Sequence, residues 1–110
     1  MKILIFTLFY IITLSAEQQK YLMVVVKKEN CIWCKKLENE VFKDNSSLSI
    51  LQKHYYITTI TKESGNLPDF INAQYYPTTF VYTLEGNELV DSLVGYRSRE
   101  KFLKFFKDGY

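Results

Sequence analysis

Apolar residues first occur as one nearly unbroken run, Ile3 to Leu14, relieved only by Thr7, Tyr10 and Thr13. Lys2 precedes it, the small residues Ser15 and Ala16 follow, and Glu17-Gln18-Gln19-Lys20 is abruptly polar. A short positive start, an apolar centre and a small-residue exit form the pattern of a secretory signal peptide. Residues 1–16 are therefore expected to be a signal peptide and residues 17–110 the working domain. The run is short against the roughly 20 apolar residues a bilayer span needs. The alternative is an uncleaved N-terminal anchor that holds the domain on the outer side of the membrane.

Beyond Lys20 the pattern changes period several times. Tyr21 to Lys27 is mostly apolar and β-branched, as in a central strand buried on both faces. Leu37 and Val41 recur at helical spacing and predict a helix from about Cys31 to Lys43. Asp44-Asn45-Ser46-Ser47 breaks it and can cap a short second helix through Leu48, Leu51 and Gln52. Tyr55 to Thr61 reads as a strand and Glu63 to Asn66 as a loop. Leu67 to Tyr75 predicts a helix, with Pro68 tolerated in its first turn.

Thr78 to Leu84 and Glu88 to Val94 predict strands joined by the tight turn Glu85-Gly86-Asn87, a hairpin. A final helix is expected after Ser98 as its cap, with Phe102, Leu103, Phe105 and Phe106 as its core face. Tyr55, Tyr56, Phe80 and Tyr82 are expected to pack the sheet. The order β-α-(α)-β-α-β-β-α places parallel strands first and an antiparallel hairpin with a helix last, an α/β architecture.

Composition narrows the function only a little. The formal net charge is +2, from 14 basic and 12 acidic side chains. That balance gives no reason to expect a nucleic acid or an anionic membrane surface as partner. A domain of this size and charge is most simply a monomer.

The chemistry is concentrated in one motif. Cys31-Ile32-Trp33-Cys34 holds the only two cysteines, between the first strand and the first helix. Metal, a structural staple and redox exchange are the possible uses of such a pair. A closed zinc site needs four N or S ligands, and only His54 could join the cysteines. A disulfide across so short a loop removes little unfolded-state entropy, so it is a poor staple. At a strand-to-helix junction, backbone N–H groups and the positive end of the helix dipole point at the first sulfur. That favours the thiolate, the reactive form. No cofactor is implied.

Three features coincide: a strand followed by Cys-x-x-Cys-Lys opening a helix, Tyr76-Pro77-Thr78 opening a strand, and a hairpin ending in Gly95 before an amphipathic helix. Together they resemble the thioredoxin superfamily over nearly all of residues 20–108. The resemblance implies a thioredoxin fold, a four-stranded mixed sheet flanked by helices. It makes Cys31 the nucleophile, Cys34 the resolving thiol, and Pro77 a cis-proline opposite the pair. Tyr76 would offer backbone hydrogen bonds to an extended peptide.

The chain departs from cytosolic thioredoxins in three ways. Ile32-Trp33 replaces Gly-Pro between the cysteines. Asn30 stands where thioredoxins usually have Trp, and Val25 falls at their buried strand acid. Cys34 to Glu38 is more similar to exported relatives such as the C-terminal domain of the electron transporter DsbD, where an acid four residues after the second cysteine lies near the active site. Glu38 matches that position.

The resemblance implies an exported, periplasmic thiol–disulfide oxidoreductase. It would exchange with protein thiols and disulfides as a reductase in preference to an oxidase or isomerase, and draw on a membrane electron-donor protein. The alternative is a redox-inactive peptide-binding module. Three residues keep two readings each. Trp33 either binds substrate or covers the helix end. Glu38 either shuttles protons for Cys34 or is a solvated helix acid paired with lysine. Lys35 and Lys36 either add to the field at Cys31 or form an exposed helix face.

Overall fold

The computed structural model describes residues 20–85 and 88–110. Residues 1–16, expected to be a signal peptide, and Gly86 and Asn87 of the expected hairpin turn lie outside the described residues. Strand β1 spans Tyr21–Lys27, and its Met23, Val24, Val25 and Val26 are all buried. A strand apolar on both faces from Leu22 to Val26 suits the interior of a sheet, and β1 sits inside a four-stranded sheet of order β2-β1-β3-β4. Strand β2 (Tyr55–Thr61) pairs with β1 in parallel, β3 (Thr78–Tyr82) pairs antiparallel, and β4 (Leu89–Val94) pairs antiparallel with β3. The hairpin strands are shorter than expected at the turn, and a bulge between Val81 and Tyr82 shifts their register.

This topology gathers four chain segments at one end of the sheet. Val26 lies opposite both Ile60 and Thr78, and Thr78 lies opposite Val94. The C-terminal ends of β1, β2 and β4 therefore meet the N-terminal end of β3.

Alternation along the strands divides the core in two. Met23, Val25, Tyr55, Val81 and Leu93 face one side, where Leu37, Val41, Leu51, Phe102 and Phe106 close over them. These come from α1 (Ile32–Leu37), its π-helical continuation Glu38–Phe42, α2 (Asn45–Gln52) and α3 (Arg99–Phe106). Val24, Val26, Phe80 and Tyr82 face the other side and meet Ile71.

The first predicted helix is found with a change of pitch. From Glu38 onward the turns widen, and Lys43 N–H donates to the Glu38 carbonyl at 2.8 Å, five residues back. Asp44 caps α2 as expected. Its carboxylate accepts from the Ser47 N–H at 3.1 Å and the Ser47 hydroxyl at 2.6 Å. These bonds hold the Asp44 pKa down at about 2.

The predicted helix over Leu67–Tyr75 does not form. Only one turn is present, with Ile71 N–H on the Pro68 carbonyl at 3.0 Å. The segment is short enough to be marginal as a helix, and Pro77 biases its predecessor toward extended backbone. Side chains fix the end of the segment instead: Tyr76 O–H donates to Ala73 O and Thr78 O–H to Tyr75 O. Three smaller expectations also change. Ser98 stands at the start of α3 without a side-chain capping bond. Phe105 is 45% exposed, because only Phe102 and Phe106 point into the core. Tyr56 is exposed on the edge strand beneath Lys20.

Candidate active site

The site is built where β1 hands the chain to α1. After Lys27 the backbone turns through Lys28-Glu29-Asn30. Glu29 N–H donates to the Glu63 carboxylate at 3.0 Å, tying this turn to the segment after β2. Asn30 takes φ of 55°, the left-handed region that asparagine tolerates better than most side chains. Cys31 follows in extended conformation as the N-cap, and its sulfur accepts the Cys34 N–H at 3.2 Å. This is the donor a thiolate needs, aimed along the helix start. Cys31 and Cys34 are bridged, with Cα atoms 5.2 Å apart, and are 8% and 5% exposed.

The opposing wall comes from the start of β3. The Tyr76–Pro77 bond is cis, Pro77 is buried, and the Tyr76 carbonyl oxygen lies 3.9 Å from Cys31 Sγ. Pro77 O accepts from Gly95 N–H at 2.7 Å, so the segment after β4 abuts the same wall. Gly95 has φ of 84°, a conformation few side chains accept.

Trp33 is half exposed and its ring lies 5.3 Å from that of Tyr96. Tyr96 O–H in turn donates to the Glu40 carboxylate at 2.5 Å, a bond that pushes the phenol pKa up. Trp33 thus packs against Tyr96 and leaves about half of its surface exposed.

Behind Cys34 lies a cavity of about 190 Å³ that reaches Val25, Glu38, Thr59 and Pro77. Val25 gives it an apolar floor, and Glu38 is the one carboxylate among its lining residues. Glu38 is one helical turn past Cys34, its N–H on the Cys34 carbonyl, so both side chains share a face. Its carboxylate lies 3.5 Å from both Lys27 Nζ and Lys43 Nζ. The widened π turn is what stacks Lys43, five residues on, over Glu38. Glu38 is therefore paired with two lysines and lines the same cavity as Cys34.

The site thus unites Cys31, Cys34, Glu38, Trp33, Tyr76 and Pro77. Sequence reasoning missed Lys27, Glu40 and Tyr96, whose pairings cross between elements and leave no spacing signal. The Gly95-Tyr96 pair ahead of a helix was the nearest clue. Among the described residues no group of three or more His, Cys, Asp or Glu side chains is arranged to hold a metal ion, and no helix is long and apolar enough to cross a membrane.

A mixed sheet of this order, with a bridged Cys-x-x-Cys at the first helix start facing a proline loop, defines a thiol–disulfide oxidoreductase of the thioredoxin kind. The chain belongs to the thioredoxin-like domain family, whose model matches residues 10–110. Solved structures agree in fold. The periplasmic thioredoxin SoxS from Paracoccus pantotrophus, in reduced form, matches with a TM-score of 0.62 at 13% identity, over 78% of this chain and 90% of that one. Trxlp from Edwardsiella tarda matches with a TM-score of 0.59 at 18% identity, over 89% and 92%. The reduced DsbD C-terminal domain from Neisseria meningitidis matches with a TM-score of 0.55 at 16% identity, over 89% and 88%. No curated protein sequence matches the chain.

Proposed function

We propose that this protein is an exported thiol–disulfide reductase acting on protein disulfides. The observation that carries the reading is the Cys34 N–H on Cys31 Sγ at 3.2 Å, with that sulfur turned to the Tyr76–Pro77 wall. In the reduced protein, the Cys31 thiolate attacks one sulfur of a substrate disulfide. The substrate's S–S bond breaks, its second sulfur leaves as a thiolate and takes a proton, and a mixed disulfide with Cys31 remains. Cys34 then loses its proton and attacks Cys31 Sγ. The mixed-disulfide bond breaks as the Cys31–Cys34 bond closes, the substrate's first sulfur leaves as a thiolate and takes a proton, and the substrate departs as a dithiol with two more electrons than it brought. Exchange with a dithiol of a donor protein, such as a membrane electron carrier, restores the starting state.

Glu38 accepts the Cys34 proton in this scheme. Supporting it are its place one turn past Cys34 and the absence of another carboxylate among the residues lining that cavity. Tyr76 and Trp33 would flank the substrate chain. Export to the periplasm, directed by residues 1–16, is supported by the signal-like run. The likeness to a periplasmic thioredoxin and to a DsbD domain agrees with it.

Four measurements test the reading. Thiolate absorbance of the reduced protein should rise below the range of a free cysteine, and the protein should accelerate insulin reduction by dithiothreitol. Ordinary thiol titration with no insulin reduction would instead leave a redox-inactive binding module. Glu38→Gln should slow resolution about a hundredfold, the low end of a general acid–base contribution, with the mixed disulfide accumulating and little change in its formation rate. The Cys31–Cys34 potential should fall nearer the reductase end of the range, about −270 mV, than the oxidase end, about −120 mV.

A further inference from the structure

Taking the reductase reading as its basis, the geometry points to a substrate class: disulfides flanked by acidic residues, held by a lysine rim along the Cys31 end of the sheet. The rim follows from the topology. Lys62 leaves β2, Lys28 leaves β1, and Lys35 and Lys36 stand on the first turns of α1. All four are exposed, and among the described residues none is in an ion pair.

Three of them, Lys28, Lys62 and Lys36, stand over aromatic rings of the site itself. Lys28 Nζ and Lys62 Nζ lie 5.7 Å and 5.6 Å from the Tyr76 ring. Lys36 Nζ lies 5.3 Å from the Trp33 ring and 5.2 Å from that of Tyr96. Such contacts hold an ammonium group over a ring face while leaving its other donors to solvent. Cys31 therefore lies between two lysine-topped aromatic platforms, Tyr76 on the β1–β2 side and Trp33–Tyr96 on the β4 side. Lys35 borders the hollow beside Cys31 between them.

The acids of this region do not cancel the rim. Glu63 accepts the Glu29 N–H and so serves the turn, and Lys27 already neutralises Glu38. Glu29 and Glu40, the latter accepting the Tyr96 O–H, are the other carboxylates there, leaving four lysines against three glutamates. A peptide laid along Tyr76 would meet ammonium groups on both sides of its cysteine. Acidic neighbours would gain charge-assisted contacts, and basic ones would be repelled.

The test uses three synthetic peptides with one intramolecular disulfide and identical cores, flanked by Asp, Asn or Lys. The rate constant for their reduction by the reduced protein should rank acidic over neutral over basic, with about tenfold between acidic and neutral at low salt. In about 1 M salt, where charges are screened beyond about 3 Å, the ratio should fall toward one. The double variant Lys28→Gln with Lys62→Gln should lose most of the acidic-to-neutral ratio. Lys53→Gln with Lys104→Gln, an equal charge change outside the rim, should keep it. Equal rates for the three peptides, or equal loss in both double variants, would overturn the rim. If no peptide is reduced, the reductase reading itself fails.

Discussion

The two faces of the sheet are covered by different kinds of structure. On one, α1, α2 and α3 bring Leu37, Leu51, Phe102 and Phe106 over Met23, Val25 and Tyr55. On the other, Ile71 and partly buried Leu67 and Ala73 cover Val24, Val26, Phe80 and Tyr82 from a segment without regular structure. The helical face draws its hydrogen bonds from its own backbone, so its side chains are free to pack. The irregular face must fix its backbone with side chains, as Thr78 does at Tyr75 O and Tyr76 does at Ala73 O. That places Tyr76 and Pro77 opposite Cys31 at the edge between the faces. Packing on the helical face holds the fold; hydrogen bonds on the irregular face set one wall of the site.

The comparison can be broken by cavity-forming substitutions. Phe102→Ala, at a fully buried position of α3, should destabilise the protein by about 4 kcal/mol, and Ile71→Ala by about 2 kcal/mol because a loop collapses more readily into a void. Equal losses in denaturant unfolding would mean the two covers are equally rigid.

Smaller changes sharpen it. Tyr55→Phe removes the bond from a buried hydroxyl to the Phe106 carbonyl at 2.7 Å, and Thr78→Val removes the hydroxyl bound to Tyr75 O. Each should lower stability by about 1 kcal/mol. Only Thr78→Val should also raise the KM for a disulfide peptide, since only it loosens the wall facing Cys31. Burial pushes the Tyr55 pKa up to about 12. The folded state favours the neutral phenol, so its stability is complete below about pH 10 and is lost as pH rises through 12. Tyr55→Phe should remove that part of the alkaline transition.

The smallest effect is at the α2 cap. Asp44 has a folded pKa of about 2, below its ordinary 3.8, so its stabilisation is present above that ordinary value and fades as pH falls through 2. Asp44→Asn should remove this shoulder from acid unfolding and leave peptide reduction unchanged.

Local pattern carried much of this protein. The apolar run of β1 placed it inside the sheet, Asp44 announced a cap, and helical spacing at Leu37, Val41, Phe102 and Phe106 named most of the helical core. Cys31, Cys34, Tyr76 and Pro77 were legible because motif and order met in one family resemblance. Periodicity failed at Leu67–Tyr75, where apolar spacing fits a helix but Pro77 and local side-chain bonds win. It failed again at Phe105, which shares its helix's pattern and not its burial.

Two cysteines opening a helix after a buried strand were legible in the chain, because those signals act within a few residues. What surrounds them was set by packing between elements. Lys27 beside Glu38, Tyr96 tying Trp33 to Glu40, and Lys28 with Lys62 over Tyr76 each join different elements. Their distances depend on sheet order, which no local period encodes, and the π turn that brings Lys43 onto Glu38 interrupts the helical period there.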